Sequence, residues 1–102
     1  MSDYYILQDK EPIQVSLLEW AMWLDNTFHE RIVDKDLVNG KKVSTVFLGL
    51  DHSYEKDQIH IFETMVFEGR NDIYCERYAT WEQAEEGHQR AIQWVKDGCK
   101  DE

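Results

Sequence analysis

The sequence predicts an α+β domain: an antiparallel four-stranded meander with an N-terminal hairpin, and two helices packed on the sheet, in the order ββαββββα. Three observations carry this. Two stretches open with Ser/Thr-x-x-Glu/Gln and continue with apolar residues at helical spacing, the mark of a capped amphipathic helix. An Asn39-Gly40 pair stands between two strand-like runs and signals a tight hairpin, because both central positions of that turn need positive φ. Two apolar runs, Val43–Leu50 and Ile59–Phe67, are rich in β-branched and aromatic residues, as central strands are.

Taken in order, Tyr4–Gln8 and Pro12–Val15 read as a short hairpin around Asp9-Lys10-Glu11. Pro12 has no N–H and suits a strand start or an edge. A helix is expected from Ser16, with Glu19 completing a capping box, and Leu17, Leu18, Trp20, Ala21, Trp23 or Met22, Leu24 and Phe28 giving a wide apolar face. Trp20 and Trp23 are expected to anchor it to the sheet. Residues 30–38 and 41–50 form the Asn39-Gly40 hairpin, with Asp34, Lys35 and Asp36 marking an exposed first strand. A polar connection spans 51–58. Strands follow at 59–67 and 73–78, joined by Glu68-Gly-Arg-Asn-Asp72. The last helix starts at Thr80, paired with Gln83, and its stripe is Trp81, Ala84, His88, Ala91 and Val95. Lys96 suits the negative helix end and Gly98 the stop. The expectation is one domain over residues 1–98, both helices most simply on the same side of the sheet, and a frayed tail at 99–102.

With 102 residues, 42% of them hydrophobic, the chain can bury a thin core. Its formal charge of -10 comes from 21 acids against 11 bases. That balance argues against direct nucleic-acid binding, which depends on Lys and Arg displacing counterions from phosphates, and against anionic membrane surfaces. It favours basic protein partners through electrostatic steering, and it also serves plain solubility. No apolar stretch is long enough to span a membrane, and the N-terminus lacks the pattern of a signal peptide. Cys75 and Cys99 match no metal spacing, so two free thiols and a cytoplasmic location are expected.

Few residues suggest chemistry. Asp51, His52 and His60 flank the 51–58 connection, and two imidazoles with a carboxylate can hold zinc. Their spacing fits no strong pattern, and ordinary loop and strand roles account for them. Glu63 lies in an apolar strand. If Ile59, Ile61, Met65 and Phe67 form the core row, Glu63 needs a partner, and Arg77 on the next strand is the natural one. If His60, Phe62, Thr64 and Val66 form the core row, Glu63 is exposed. Glu76 is placed near Arg70. His88, inside the last helix's stripe, reads as a hydrogen-bonded core histidine, with a contact to Glu63 or Tyr78 as the functional alternative. Cys75 reads as an inert core thiol. Trp94, off the stripe, is a candidate interface aromatic. Phosphate loops, nucleophile elbows and zinc-protease patterns are absent, so no enzyme, cofactor or metal is expected.

Ser44-Thr-Val-Phe-Leu-Gly-Leu-Asp-His52, Phe62-Glu-Thr-Met-Val-Phe67 and Glu76-Arg-Tyr-Ala-Thr-Trp-Glu-Gln-Ala-Glu-Glu-Gly-His88 resemble a pattern of short, uncharacterised phage and prophage proteins. Tyr4-Tyr-Ile-Leu7 and Leu18-Glu-Trp-Ala-Met-Trp-Leu24 are similar to it as well. The chain departs from it at Glu55-Lys-Asp-Gln58, where Gly- and Pro-rich residues are expected. The resemblance implies a phage context, hence a host-cell cytoplasm, and brings no catalytic residues. The expectation is a small acidic binding protein that engages a basic surface on a host protein, in its sharpest form an inhibitor of a host defence or nucleic-acid-handling protein. Asp34, Asp36, Glu82, Glu85 and Glu86 would stand in for phosphates, and Trp94 would join the interface. The alternatives are a homodimeric structural or assembly component, and a small metal-dependent enzyme built on Asp51, His52, His60 and Glu63.

Overall fold

The computed structural model describes residues 3–27, 29–51 and 59–100. Strand β1 (Asp3–Gln8) turns into β2 (Glu11–Val15) through Asp9 and Lys10, both at positive φ. Helix α1 covers Leu17–Asn26, and a single 3-10 turn at His29–Arg31 leads into β3 (Ile32–Val38). The meander continues with β4 (Lys41–Phe47), a two-residue β5 (Leu50–Asp51), β6 (Phe62–Glu68) and β7 (Asn71–Tyr78). Helix α2 (Trp81–Lys96) closes the fold. The α+β class is as the sequence predicts.

The strands form two antiparallel sheets rather than one. The larger has the order β3-β4-β6-β7, and the smaller has β2-β1-β5. The expected single strand over 41–50 breaks at Leu48-Gly49, and its last residues cross to pair with β1. Gly49 makes the crossing: its φ is +73°, and a Cβ there would lie 2.6 Å from Trp20 Nε1 and 2.8 Å from the Tyr5 carbonyl oxygen. Only glycine fits that approach. The Gly49 carbonyl in turn accepts the Tyr5 N–H at 2.7 Å. Asn39-Gly40 forms the expected turn, with φ of 50° and 78°.

Helix α2 spans all four strands of the larger sheet. It buries Ala84, Gly87, His88, Ala91 and Val95, the expected stripe with Gly87 added. Gly87 is needed because a Cβ there would collide with the Tyr78 ring. The sheet face under α2 is Val43, Thr45 and Phe47 on β4 and Phe62, Thr64 and Val66 on β6, all buried. Phe47 and Phe62 pack at 5.1 Å between centroids and contribute about 1.5–3 kcal/mol each by burial. The α2 capping box is complete, with Thr80 Oγ1 accepting from the Gln83 N–H and Gln83 Oε1 from the Thr80 N–H. The C-terminus holds one residue beyond the expected stop: the Cys99 N–H donates to the Trp94 carbonyl at 2.9 Å, and Cys99 packs against the core.

Helix α1 behaves differently. Ser16 caps it by accepting the Glu19 N–H, but the Glu19 carboxylate takes the Ser16 hydroxyl rather than its backbone N–H. The tryptophans anchor it as expected, Trp20 against Tyr4 at 5.2 Å and Trp23 edge-on to Phe47 at 5.5 Å. The rest of the expected apolar face is not buried. No residue of α1 is buried, and Leu17, Leu18 and Met22 are 55%, 70% and 62% exposed. The physical reason is that α1 rests mainly on β1 of the small sheet, with Trp23 reaching Phe47 at the edge of the larger one, and a two-tryptophan footing covers one edge of a wide apolar helix. Phe28 lies outside the described residues. No helix among them is long and apolar enough to cross a membrane.

Candidate functional site

A buried polar row runs through the larger sheet where its pattern would accept apolar residues. Thr45 and Thr64 stand directly opposite each other on β4 and β6, with hydroxyl oxygens 2.5 Å apart. Thr45 Oγ1 also lies 2.7 Å from His88 Nδ1. On the other side of the ring, His88 Nε2 meets Asp36 Oδ2 at 2.8 Å and Asp34 Oδ2 at 3.7 Å. Strand periodicity puts both carboxylates of β3 on one face, and β3 is an edge strand beside α2. The two carboxylates are 48% and 43% exposed, whereas His88, Thr45 and Thr64 are wholly buried. Asp34 Oδ1 accepts the Lys35 N–H. The result is a line from solvent to core: Asp34 and Asp36, then His88, Thr45 and Thr64.

The order carboxylate–imidazole–hydroxyl matches that of a nucleophilic triad. Here the hydroxyl is sealed inside the sheet, so Thr45 meets no substrate. Its role is to hold the ring and to satisfy a buried nitrogen. His88 is thus the hydrogen-bonded core histidine expected from sequence, but its partners are Thr45 and Asp36. The alternative partners Glu63 and Tyr78 do not hold it.

The other expected residues are dispersed. Glu63 sits on the face of the sheet away from α2, because Phe62, Thr64 and Val66 form the core row. Its partner is Arg77, at 2.8 Å. Cys75 is exposed on that same face rather than in the core, and its thiol donates to Glu63. Desolvation first, then the Glu63 charge, push that thiol above its usual range, which favours the protonated form over the nucleophilic thiolate. Glu76 does not reach Arg70; it pairs with Arg90 of α2. Burial alone would raise the Glu76 carboxyl, but the hydrogen bonds from Arg90 and Tyr74, with the Tyr78 hydroxyl nearby, leave it below the usual range. The Tyr78 hydroxyl is buried beside Thr64 and Glu76 without hydrogen-bonding geometry to either. Desolvation pushes its ionisation far up.

Asp51 is buried on β5, and one of its oxygens faces the His60 N–H at 3.5 Å. His52 lies outside the described residues. Trp94 is half-buried, tilted against Tyr74 at 4.9 Å between centroids and packed on the core around Val43 and Val66, so it covers the core rather than standing free. Glu82, Glu85 and Glu86 are exposed on α2. Glu82 and Glu85 line a groove of about 510 Å³ with Asp9, Lys10, Glu11, Pro12, Thr80 and Trp81, and Lys10 Nζ sits 5.4 Å over the Trp81 ring. They are therefore not all one acidic surface: Asp34 and Asp36 belong to the His88 line, and Glu82 and Glu85 to this groove.

Two features were missed in the sequence. Thr45 and Thr64 were signalled only as hydroxyls in otherwise apolar rows. The exposed outer side of α1 carried no signal, since an amphipathic pattern shows that a face wants cover but not what covers it. No protein-family model, no curated protein and no solved structure matches the chain.

Proposed function

We propose that this chain is a non-enzymatic binding protein, and that α1 with β2 is the surface that docks its partner. The observation that carries this reading is the outer side of α1. Leu17, Leu18 and Met22 are exposed together, and Ile13 on β2 is 39% exposed. Clustered exposed apolar residues mark interaction sites in small proteins. The stretch of chain that holds α1 has one sign. From residue 11 to residue 30 the chain carries Glu11, Glu19, Asp25 and Glu30 and no lysine or arginine. A partner that fits presents an apolar groove edged with basic groups, because opposed charge steers encounter and sets register. In the phage context implied by the sequence resemblance, that partner is a host protein, with defence and nucleic-acid-handling proteins the natural class because their phosphate-binding grooves are basic.

The test is capture and reconstitution with three versions of the full chain: wild type, Leu18→Asp/Met22→Asp, and Glu82→Lys/Glu85→Lys/Glu86→Lys. The expected result is a basic host protein held by the first and third, lost by the second, and reconstituted one-to-one from purified components with an affinity that falls with salt. A partner lost only on charge reversal of α2 moves the interface to the Glu82–Glu86 groove and refutes the α1 reading. A partner unaffected by the α1 substitutions refutes it as well.

A second reading, self-association in a structural assembly, is favoured by the sheet face turned away from α2. There Leu37, Val46, Met65 and Phe67 are partly or largely exposed beside Lys35 and Lys42, with Arg77 on the same face paired to Glu63. That face complements the acidic, apolar α1 of a second copy. Light scattering over a concentration series decides it: growth in mass that Leu18→Asp/Met22→Asp abolishes supports assembly, and a constant monomer refutes it.

A further inference from the structure

We propose that Asp34, Asp36 and His88 form a binding site for a divalent transition-metal cation such as zinc. One ligand atom from each lies within 4.8 Å of the others, close enough for a single cation to gather all three with small side-chain movements. The donor set of one imidazole nitrogen and two carboxylate oxygens suits zinc, manganese or iron, and leaves coordination positions open to water.

The site is more than a pair of surface acids. Two like charges on a Asp-x-Asp edge face one fully buried ring nitrogen. A neutral ring offers at most one proton there, enough for the 2.8 Å contact with Asp36 but not for Asp34 at 3.7 Å. Among the described residues, no lysine or arginine pairs with either carboxylate. A divalent cation meets both carboxylates and the ring at once.

The interior side of the ring is arranged as the outer partner of a metal-bound histidine commonly is. Metal-ligating histidines donate their other N–H to a fixed acceptor, which sets the tautomer. His88 Nδ1 has Thr45 Oγ1 at 2.7 Å, and Thr45 has Thr64 Oγ1 at 2.5 Å. Beside Thr64 lies the Tyr78 hydroxyl, a buried polar atom that lacks a hydrogen-bond partner. If Nδ1–H donates to Thr45 and Thr45 to Thr64, the hydrogens run inward. A cation bound between Asp36 and Asp34 would replace the Nε2 proton that meets Asp36 and take the Nε2 lone pair, with the ring proton carried on Nδ1. The buried ring gives the site rigidity, and the exposed carboxylates give it an entrance.

The experiment uses the full-length chain without a histidine tag, titrated with zinc chloride by calorimetry and with cobalt chloride by absorption spectroscopy. Asp34→Asn and Asp36→Asn serve as variants because they alter exposed side chains and spare the core. The expected result is saturable one-to-one zinc binding, weakened by at least about tenfold in each variant. Ring NMR should show the zinc-bound ring protonated on Nδ1, with the Nε2 resonance shifted on zinc addition. Any of three results overturns the proposal: no saturable binding, binding indifferent to both asparagine substitutions, or thiolate-to-cobalt charge transfer placing the metal on Cys75 or Cys99. A ring carrying its proton on Nε2 that zinc does not displace overturns it equally.

Discussion

Helix α2 buries Ala84, Gly87, His88, Ala91 and Val95, whereas α1 buries none of its ten residues. Both begin at a hydroxyl N-cap with a Glu or Gln three residues on. Their compositions would suggest the opposite outcome: α1 is the more apolar helix, and α2 carries Glu82, Glu85, Glu86, Gln89 and Arg90 on its outer side. What separates them is the surface each is given. Helix α2 lies across a four-stranded sheet, while α1 is held by two tryptophans, Trp20 on Tyr4 of β1 and Trp23 on Phe47 of β4. The apolar content of α2 is used up in making the fold. That of α1 exceeds what its footing can cover, and the excess is what the binding proposal rests on.

The largest expected effect comes from placing a carboxylate on the inner side of α2. Ala91 is wholly buried, so Ala91→Asp strands a charge in the core and should cost upwards of about 4 kcal/mol, enough to leave the chain largely unfolded by circular dichroism at 25 °C. Retention of a cooperative transition near the wild-type midpoint would erase the contrast between the helices. A smaller effect sharpens it. Thr80→Ala removes a complete capping box and should cost about 1 kcal/mol in denaturant unfolding. Ser16→Ala should cost less than half of that globally, because α1 can open locally without unfolding the core. Equal losses would mean that α1 is coupled to the core more tightly than its exposure indicates.

Much of the local structure was legible in the sequence because it is set by neighbours along the chain. The Thr80–Gln83 box, the Asn39-Gly40 turn and the Trp81–Val95 stripe each depend on residues within a few positions, and each forms. The Glu63–Arg77 pair was legible only in part: consecutive strands face each other as expected, but the pair forms on the face away from the core row, where the sequence leaves Glu63 exposed, and its carboxylate is mostly covered. What escaped depends on distant parts meeting. The break at Gly49 exists because β5 pairs with β1 some 45 positions earlier, a partnership no local pattern encodes. Arg90 as the partner of Glu76 requires knowing how α2 is rotated over β7. The His88 line shows the same limit: an Asp-x-Asp edge strand and a histidine in an apolar stripe were each visible, but 52 positions separate Asp36 from His88. Only the placement of β3 at the sheet edge beside α2 joins them.

A docking surface on the outer side of α1 has to be dispensable for folding. Equilibrium urea unfolding of Leu18→Asp/Met22→Asp beside wild type, at one dilute protein concentration, tests it most directly. The predicted result is a change within about 0.5 kcal/mol, as for surface positions free of core contacts, with an unchanged m-value. A loss of several kcal/mol would contradict it, and would make Leu18 and Met22 part of the core rather than a surface kept for a partner.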